Sequence, residues 1–178
     1  MDRIPLAHAL HLRMMALRDT CQQLQDLSFP SQIRESDWLF PTLETVHVLA
    51  LVLVVGSILI ADLRLLGIAN RARPVRSVIA ETLPLTWSAF AVAAVAGSLL
   101  FSSKAVTYYD DWPFRIKMLC LVLAGINMAC FHALTYRHVA QWDMGPTPIG
   151  ARVAAGLSLI LWVTIVGAGR WIGFTTRE

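Results

Sequence analysis

Charged residues are scarce in this chain. Only 15% of its 178 residues are Asp, Glu, Lys or Arg, whereas 56% are hydrophobic, and the mean hydropathy is +0.58. Soluble domains carry about 25% charged residues, so the composition argues against a soluble protein. The net charge is +3, but the arginines are spread over short connections between apolar runs. A nucleic-acid-binding face gathers its basic residues on one surface, so we expect no nucleic-acid partner.

Cysteine is also scarce, and no recognisable catalytic motif accompanies it. The three cysteines are Cys21, Cys120 and Cys130. They form neither a CxxC pair nor a Cys/His zinc spacing. The first compact apolar run begins only at Leu43, so no signal peptide is predicted. These absences indicate a protein that is not an enzyme.

Four long uncharged runs dominate what is present. They cover residues 45–61, 82–103, 118–136 and 153–169. A helix needs about 20 apolar residues to cross a bilayer core. The sequence therefore predicts an all-α fold, a bundle of four transmembrane helices. We expect spans near residues 42–67, 80–103, 115–138 and 152–174, within a domain of residues 36–178 that is surrounded by the lipid bilayer.

Residues 1–35 have a different pattern. Apolar side chains recur at spacings of four and three, namely Leu6, Leu10, Met14, Leu17, Cys21 and Leu24. One apolar stripe of this kind, opposite polar residues, is typical of an amphipathic helix that lies at the membrane surface. The pattern predicts an interfacial helix over residues 5–27, with its stripe against lipid or the bundle.

The arginines indicate an orientation. The short first connection contains Arg64, Arg71, Arg73 and Arg76. Short basic loops remain on the cytoplasmic side of a membrane. We therefore predict a protein of the bacterial cytoplasmic membrane, with both termini in the periplasm.

Polar residues near the outer ends of the spans are candidates for a cofactor site. Histidine with methionine suits copper or haem iron, so His47 and Met118 are the predicted metal ligands. Lys117 and Arg170 lie at a similar depth, where they can meet haem propionates. The candidate cofactors are haem b and copper. In the alternative, Glu44 pairs with Arg170, Met118 packs, and His47 bonds across the bundle.

The inner half of the bundle contains a second polar set. Glu44 and Asp62 share a face of the first span with His47, at 100° per residue, and that face should point inward. Asn127 and His132 lie in the third span. We interpret Asp62, Asn127, His132 and the outer Glu44 as structural polar groups. Helix rise places His132 about 20 Å deeper than His47, so the two histidines should not share one metal.

Small residues four apart, such as Ala93/Gly97, Gly125/Ala129 and Gly169/Gly173, allow close helix contact and an oligomer.

Several stretches of the sequence carry a resemblance to a family. They are HVLALVLVVGS (47–57), DLRLLG (62–67), PFRIK (113–117) and GRWIGF (169–174). Together they resemble an uncharacterised family of bacterial four-helix inner-membrane proteins, over residues 36–174. In size and helix pattern the chain is also similar to copper-resistance D-type membrane domains. That similarity implies that His47 matches a position associated with metal or haem.

Three functions remain open at this stage. The first is a structural or accessory membrane subunit. The second is a haem or copper protein centred on His47, with a membrane or periplasmic redox partner. The third is a small transporter, which is disfavoured because no inverted repeat or ring of pore charges is evident.

Overall fold

The fold is all-α, as the sequence predicts. A computed structural model describes the backbone of residues 6–175, and the side chains of residue 12 and residues 14–175. Across this part of the chain, 87% of residues are helical and there are no strands. The helices are α1 (Leu6–Gln25), α2 (Ser28–Glu35), α3 (Leu39–Leu66), α4 (Val75–Ser103), α5 (Ala105–Asp110), α6 (Trp112–Cys130) and α7 (Ile149–Thr175).

Helix α6 changes its winding before it ends. It continues as a π-helical turn over Phe131–Thr135 and then as a 3₁₀ segment over Tyr136–Gln141. With these segments, the third long helix contains 30 residues, whereas α3, α4 and α7 contain 28, 29 and 27. All four are long and apolar enough to cross a membrane. The protein is therefore an integral membrane protein with a four-helix bundle. Each helix begins a few residues before its predicted span, because backbone hydrogen bonding continues into the polar flanks, where hydropathy falls.

The ends of the helices follow local sequence signals. Helix α3 ends at Gly67, whose φ of 72° is the left-handed conformation that glycine adopts without steric cost. Pro74 precedes α4. The Asp111 carboxylate caps α6 by accepting a hydrogen bond from the backbone N–H of Phe114. These signals set the short connections of the bundle.

The bundle contains two clusters of buried apolar residues. Helix α3 packs mainly against α4, α6 packs mainly against α7, and α3 also contacts α7. The central cluster consists of Val54, Ala89, Cys120, Leu161, Trp162 and Ile165. The second cluster lies at the end of the bundle that contains the α3–α4 connection, and we call it the inner cluster. It consists of Leu65, Val75, Ile79, Phe131, Val139, Trp142, Ala151 and Ala155. Many other large apolar side chains of the long helices face outward, as is expected of a surface that meets lipid.

One arginine of the first connection has an internal role. Arg64 is 3% exposed. Its Nε donates to the carbonyl of Arg73 at 2.8 Å, and its Nη2 donates to the carbonyl of Asp143 at 3.3 Å. The Asp143 carboxylate in turn accepts from the backbone N–H of Arg76 at 2.9 Å. Arg64 therefore ties the α3–α4 connection to the segment before α7, rather than reaching out to headgroups.

Helix α1 packs on the opposite end of the bundle, against α5. Two polar contacts join these helices: Arg18 Nε lies 3.0 Å from Asp110 Oδ2, and the Gln25 side chain accepts from the backbone N–H of Val106. Met14 and Leu17 of the predicted apolar stripe are exposed. The side chains of Leu6 and Leu10 lie outside the described residues. Leu24 of the stripe is exposed as well, whereas Cys21 is half-buried. The described part of the stripe is therefore mostly exposed, and its contact with lipid stays a prediction.

Candidate functional site

His47 packs against a neighbouring helix through a niche left by a glycine. Its Nδ1–H donates to the carbonyl of Ala93 on α4 at 2.8 Å. A Cβ added to Gly97 would lie only 2.8 Å from Cε1 of His47. Because glycine has no side chain, the half-buried imidazole fits against α4. The sequence leaves two roles open for His47, a metal ligand and a hydrogen-bond donor across the bundle. The hydrogen bond across the bundle is present.

Two charged residues accompany His47. Lys117 on α6 and Glu44 on α3 both lie near enough to interact electrostatically with the imidazole. Lys117 is half-buried and runs beside Gly169 of α7, where a Cβ would lie 3.7 Å from Nζ. Glu44 is exposed and does not face the bundle interior, contrary to the shared-face prediction. The structure therefore brings Glu44, His47 and Lys117 into one region.

The charge of Glu44 also acts electrostatically on Tyr108 of α5. Burial raises the pKa of the Tyr108 phenol, and the carboxylates of Glu44 and Asp111 add to the rise because they disfavour a nearby phenolate. This interaction places the start of α3 close to the α5–α6 corner.

Met118 and Arg170 do not join that region. Met118 is 45% exposed and lines a surface depression with Phe101, Tyr109, Phe114 and Arg115. The Arg170 guanidinium lies 5.3 Å from the centre of the Phe174 ring. Among the ion pairs of the described side chains, none joins Glu44 to Arg170. The predicted Glu44–Arg170 pair is therefore wrong: both residues are exposed, and Arg170 lies beside Phe174 of its own helix instead.

A second cavity is lined by residues of all four long helices. Its volume is about 180 Å³. Its walls are mostly apolar and include the aromatic rings of Trp87, Phe90, Phe131 and Trp162. Asp62 and His132 also line it. His47 is not among its lining residues, so the two histidines occupy separate sites.

Asp62 is the acidic group of this cavity. It is 6% exposed, and its Oδ2 is buried without a hydrogen-bond partner among the described residues. Ser158 of α7 lies close enough to interact with the carboxyl. No ion pair of the described residues includes Asp62. Half of this carboxyl is therefore unsatisfied inside the bundle.

His132 is the second incompletely bonded group. Its Nδ1–H donates to the carbonyl of Met128 at 2.9 Å, within its own helix. Its Nε2 is buried and has no partner in the described part of the chain. His132 lies in the π-helical turn, a wide turn that is frequent at functional sites. The sequence analysis interprets this histidine as a structural polar group, and its observed hydrogen bond lies within its own helix.

The other polar residues of the cavity are already bonded. The Asn127 amide donates to the carbonyl of Ala154 on α7 at 2.9 Å. Thr82 and Thr86 donate to carbonyls one turn earlier in α4, and the Thr86 hydroxyl lies 2.7 Å from that of Ser57. Asn127 therefore links α6 to α7. The open hydrogen-bonding capacity of the cavity is concentrated on Asp62 and His132.

The sequence analysis does not identify three of these features. Gly97 has a signal in its four-residue spacing from Ala93, but that spacing predicts helix contact rather than a niche for an imidazole. Ser158 has no signal, since a lone serine in an apolar run is ordinary. The π-helical turn also has no signal in the sequence. Within residues 6–175, no group of three His, Cys, Asp or Glu side chains has the arrangement of a metal site.

Comparison with known proteins adds a family. The family of unknown function DUF6644 matches residues 38–175. This chain belongs to that family. The DUF6644 region contains α3 through α7 and hence every residue of the cavity, while α1 and α2 precede it. No curated protein and no solved structure matches the chain. The match agrees with the predicted resemblance to an uncharacterised family, and the similarity to copper-resistance domains stays a prediction.

Proposed function

We propose that this membrane protein binds a small organic molecule in the cavity between its four long helices, as a ligand-carrying accessory subunit. The observation that supports the proposal is a pair of buried polar atoms on that cavity, Oδ2 of Asp62 and Nε2 of His132, which have no hydrogen-bond partner among the described residues. A buried polar atom without a partner costs about 1–3 kcal/mol. An ionisable side chain inside a bilayer is expensive and marks a functional site by default.

The shape of the surrounding helices gives further support. Pro84 interrupts the hydrogen bonding of α4 next to the cavity-lining Thr82 and Leu83. The π-helical turn interrupts the third long helix at Phe131 and His132. Membrane proteins use irregular helix turns where they line cavities and bind ligands. Two of the four walls of this cavity have such a turn.

The haem or copper alternative has weaker geometric support. The Nδ1–H of His47 is bonded to Ala93, so a metal would have to use Nε2, and Met118 faces the surface. Its test is the absorption spectrum and metal content of protein purified from its native membrane. A haem or copper signal that His47→Ala abolishes and His132→Ala leaves intact would favour this alternative.

The setting of the protein follows from the arginine pattern. We propose the bacterial cytoplasmic membrane with both termini in the periplasm, since the first connection is short and basic. A redox partner and an oligomer formed through small-residue faces remain predictions. Gly97 and Gly169 are less available for such faces, because each lies against a polar side chain of its own bundle, whereas Gly173 faces open space.

The experiment that tests ligand binding compares two acidic residues of one helix. Wild-type protein, Asp62→Asn and Glu44→Gln are purified from native membrane in mild detergent, and solvent extracts are examined by mass spectrometry. We expect one small molecule in stoichiometric amount with wild type and Glu44→Gln, and its depletion with Asp62→Asn. Extracts that contain only lipids in all three preparations would contradict the proposal.

A further inference from the structure

We infer that the molecule in the cavity is a small amine, bound as an ammonium ion and carrying a single apolar ring. This inference rests on the proposed ligand-binding function and names the chemical class of the ligand. It follows from three properties of the cavity: the hydrogen-bonding direction of its open groups, its lack of a positive charge, and its walls.

The direction of hydrogen bonding is fixed at His132. A backbone carbonyl can only accept, so the contact with Met128 requires the proton of His132 to be on Nδ1. In the neutral ring, Nε2 then carries a lone pair and accepts. The carboxyl of Asp62 has no charged partner among the described residues, and a positive charge beside it would keep it ionised, so that both of its oxygens accept. A ligand that carries both a positive charge and hydrogen-bond donors therefore satisfies the two open groups of the cavity.

The cavity also lacks a countercharge for Asp62. Arg64 is the nearest basic residue along the chain, but its Nε and Nη2 donate to the carbonyls of Arg73 and Asp143. Asp62 and His132 are the only titratable residues among those that line the cavity, as far as the described residues show. An anionic ligand would meet a carboxyl with no cation beside it. An ammonium group supplies both the missing charge and the missing donors, and charge-assisted hydrogen bonds are the stronger kind.

The walls and volume define the remainder of the molecule. Trp87, Phe90 and Trp162 supply aromatic faces, which attract a cation near their centres. A dry cavity of about 150 Å³ accommodates one benzene. The present cavity, at about 180 Å³, therefore accommodates one ring with a short aminoalkyl group.

The test uses three fluorinated probes that share one ring: 4-fluorobenzylamine, 4-fluorobenzyl alcohol and 4-fluorotoluene. Full-length protein is placed in lipid nanodiscs, and binding is followed by ¹⁹F NMR, with empty nanodiscs as the control for partition into lipid. The amine offers charge and donors, the alcohol offers one neutral donor, and the toluene offers neither. We expect the amine to bind at least about ten-fold more tightly than the alcohol, the ratio that corresponds to one charged hydrogen bond.

Variants then assign the preference to residues. Asp62→Asn should bring amine and alcohol to within about two-fold of each other, whereas Glu44→Gln, which removes an acid of α3 outside the cavity, should keep the wild-type ratio. His132→Phe keeps a ring but removes the acceptor, and should weaken the amine about five-fold. The ratio in wild-type protein does not depend on any variant folding.

Each other outcome has a distinct meaning. Equal binding of amine and alcohol to wild-type protein would overturn the amine assignment and leave the ligand cavity standing. An amine preference that survives in Asp62→Asn would overturn the role of Asp62. If no probe binds above the empty nanodisc and the native extracts contain only lipid, the inference and the proposed function both fail.

Discussion

The two polar regions of the bundle differ in how fully their histidines are bonded. His47, near the N-terminal end of α3, donates across to Ala93 and fits a niche that Gly97 leaves open. His132 bonds only within its own helix, and its Nε2 is buried without a partner among the described residues. A histidine that completes its bonds by joining two helices serves packing. A histidine with an open buried nitrogen, in a cavity that also contains an open carboxyl, serves to bind a molecule that is added to the protein.

The first prediction concerns which region faces which side of the membrane, and its outcome is all-or-none. Reporter fusions at Ala72, in the basic first connection, should give cytoplasmic activity, and fusions at the C-terminus should give periplasmic activity. The Ala72 fusion serves as the internal control for the C-terminal one. Periplasmic activity at Ala72 would reverse the orientation of both regions.

The second prediction is that Asp62→Leu stabilises the ligand-free protein by about 1–3 kcal/mol, since it removes an unsatisfied buried acceptor and fills space. The measurement is the free energy of unfolding in a detergent titration, followed by circular dichroism. Glu44→Leu, on the exposed face of α3, should change it much less. A large loss of stability in Asp62→Leu would mean that the carboxyl has a partner in the folded protein.

The third prediction tests the niche at His47. Gly97→Ala should destabilise the bundle by about 1–3 kcal/mol, because a methyl group there overlaps the imidazole. Gly56→Ala is the matched control: its Cβ meets nothing within 4 Å, and alanine favours a helix by up to about 1 kcal/mol. Equal unfolding free energies for the two variants would show that the imidazole moves aside without cost.

The fourth prediction has the smallest effect and compares the histidines directly. His47→Phe should lose about 0.5–1.5 kcal/mol of unfolding free energy, since it removes the bond to Ala93. His132→Phe should lose less, because its bond lies within one helix and it removes an unpaired nitrogen. Thermal unfolding of the two variants in the same detergent measures the difference. The reverse order of stability would remove the contrast between the regions.

Hydropathy is sufficient to predict the fold, because length and apolarity alone define four helices in a membrane. Hydrogen-bond satisfaction is a different kind of information. At the sequence level His47 and His132 are equivalent, each a lone histidine in an apolar run, and depth favours His47 as the ligand. Three features depend on the rotation of each helix about its axis: the bond to Ala93, the niche at Gly97 and the unpaired Oδ2 of Asp62. A helix that is apolar on all of its faces does not specify that rotation. The ion pair predicted between Glu44 and Arg170 is absent among the described side chains, and the sequence could not decide this, because hydropathy does not specify the rotation of α3 and α7.

The π-helical turn over Phe131–Thr135 has a consequence for the segment that follows it. A turn closed by i→i+5 hydrogen bonds holds one residue more than an α-helical turn, and one residue corresponds to about 100° of rotation. Val139 and Trp142 are buried in the inner cluster, and they follow this turn along a 3₁₀ segment that winds by about 120° per residue. The π turn and the 3₁₀ segment together set the inward direction of these two side chains. Deleting one residue here would rewind the turn to a regular helix and swing both side chains toward the lipid. The number of residues in this stretch therefore determines which side chains of the following segment face the inner cluster.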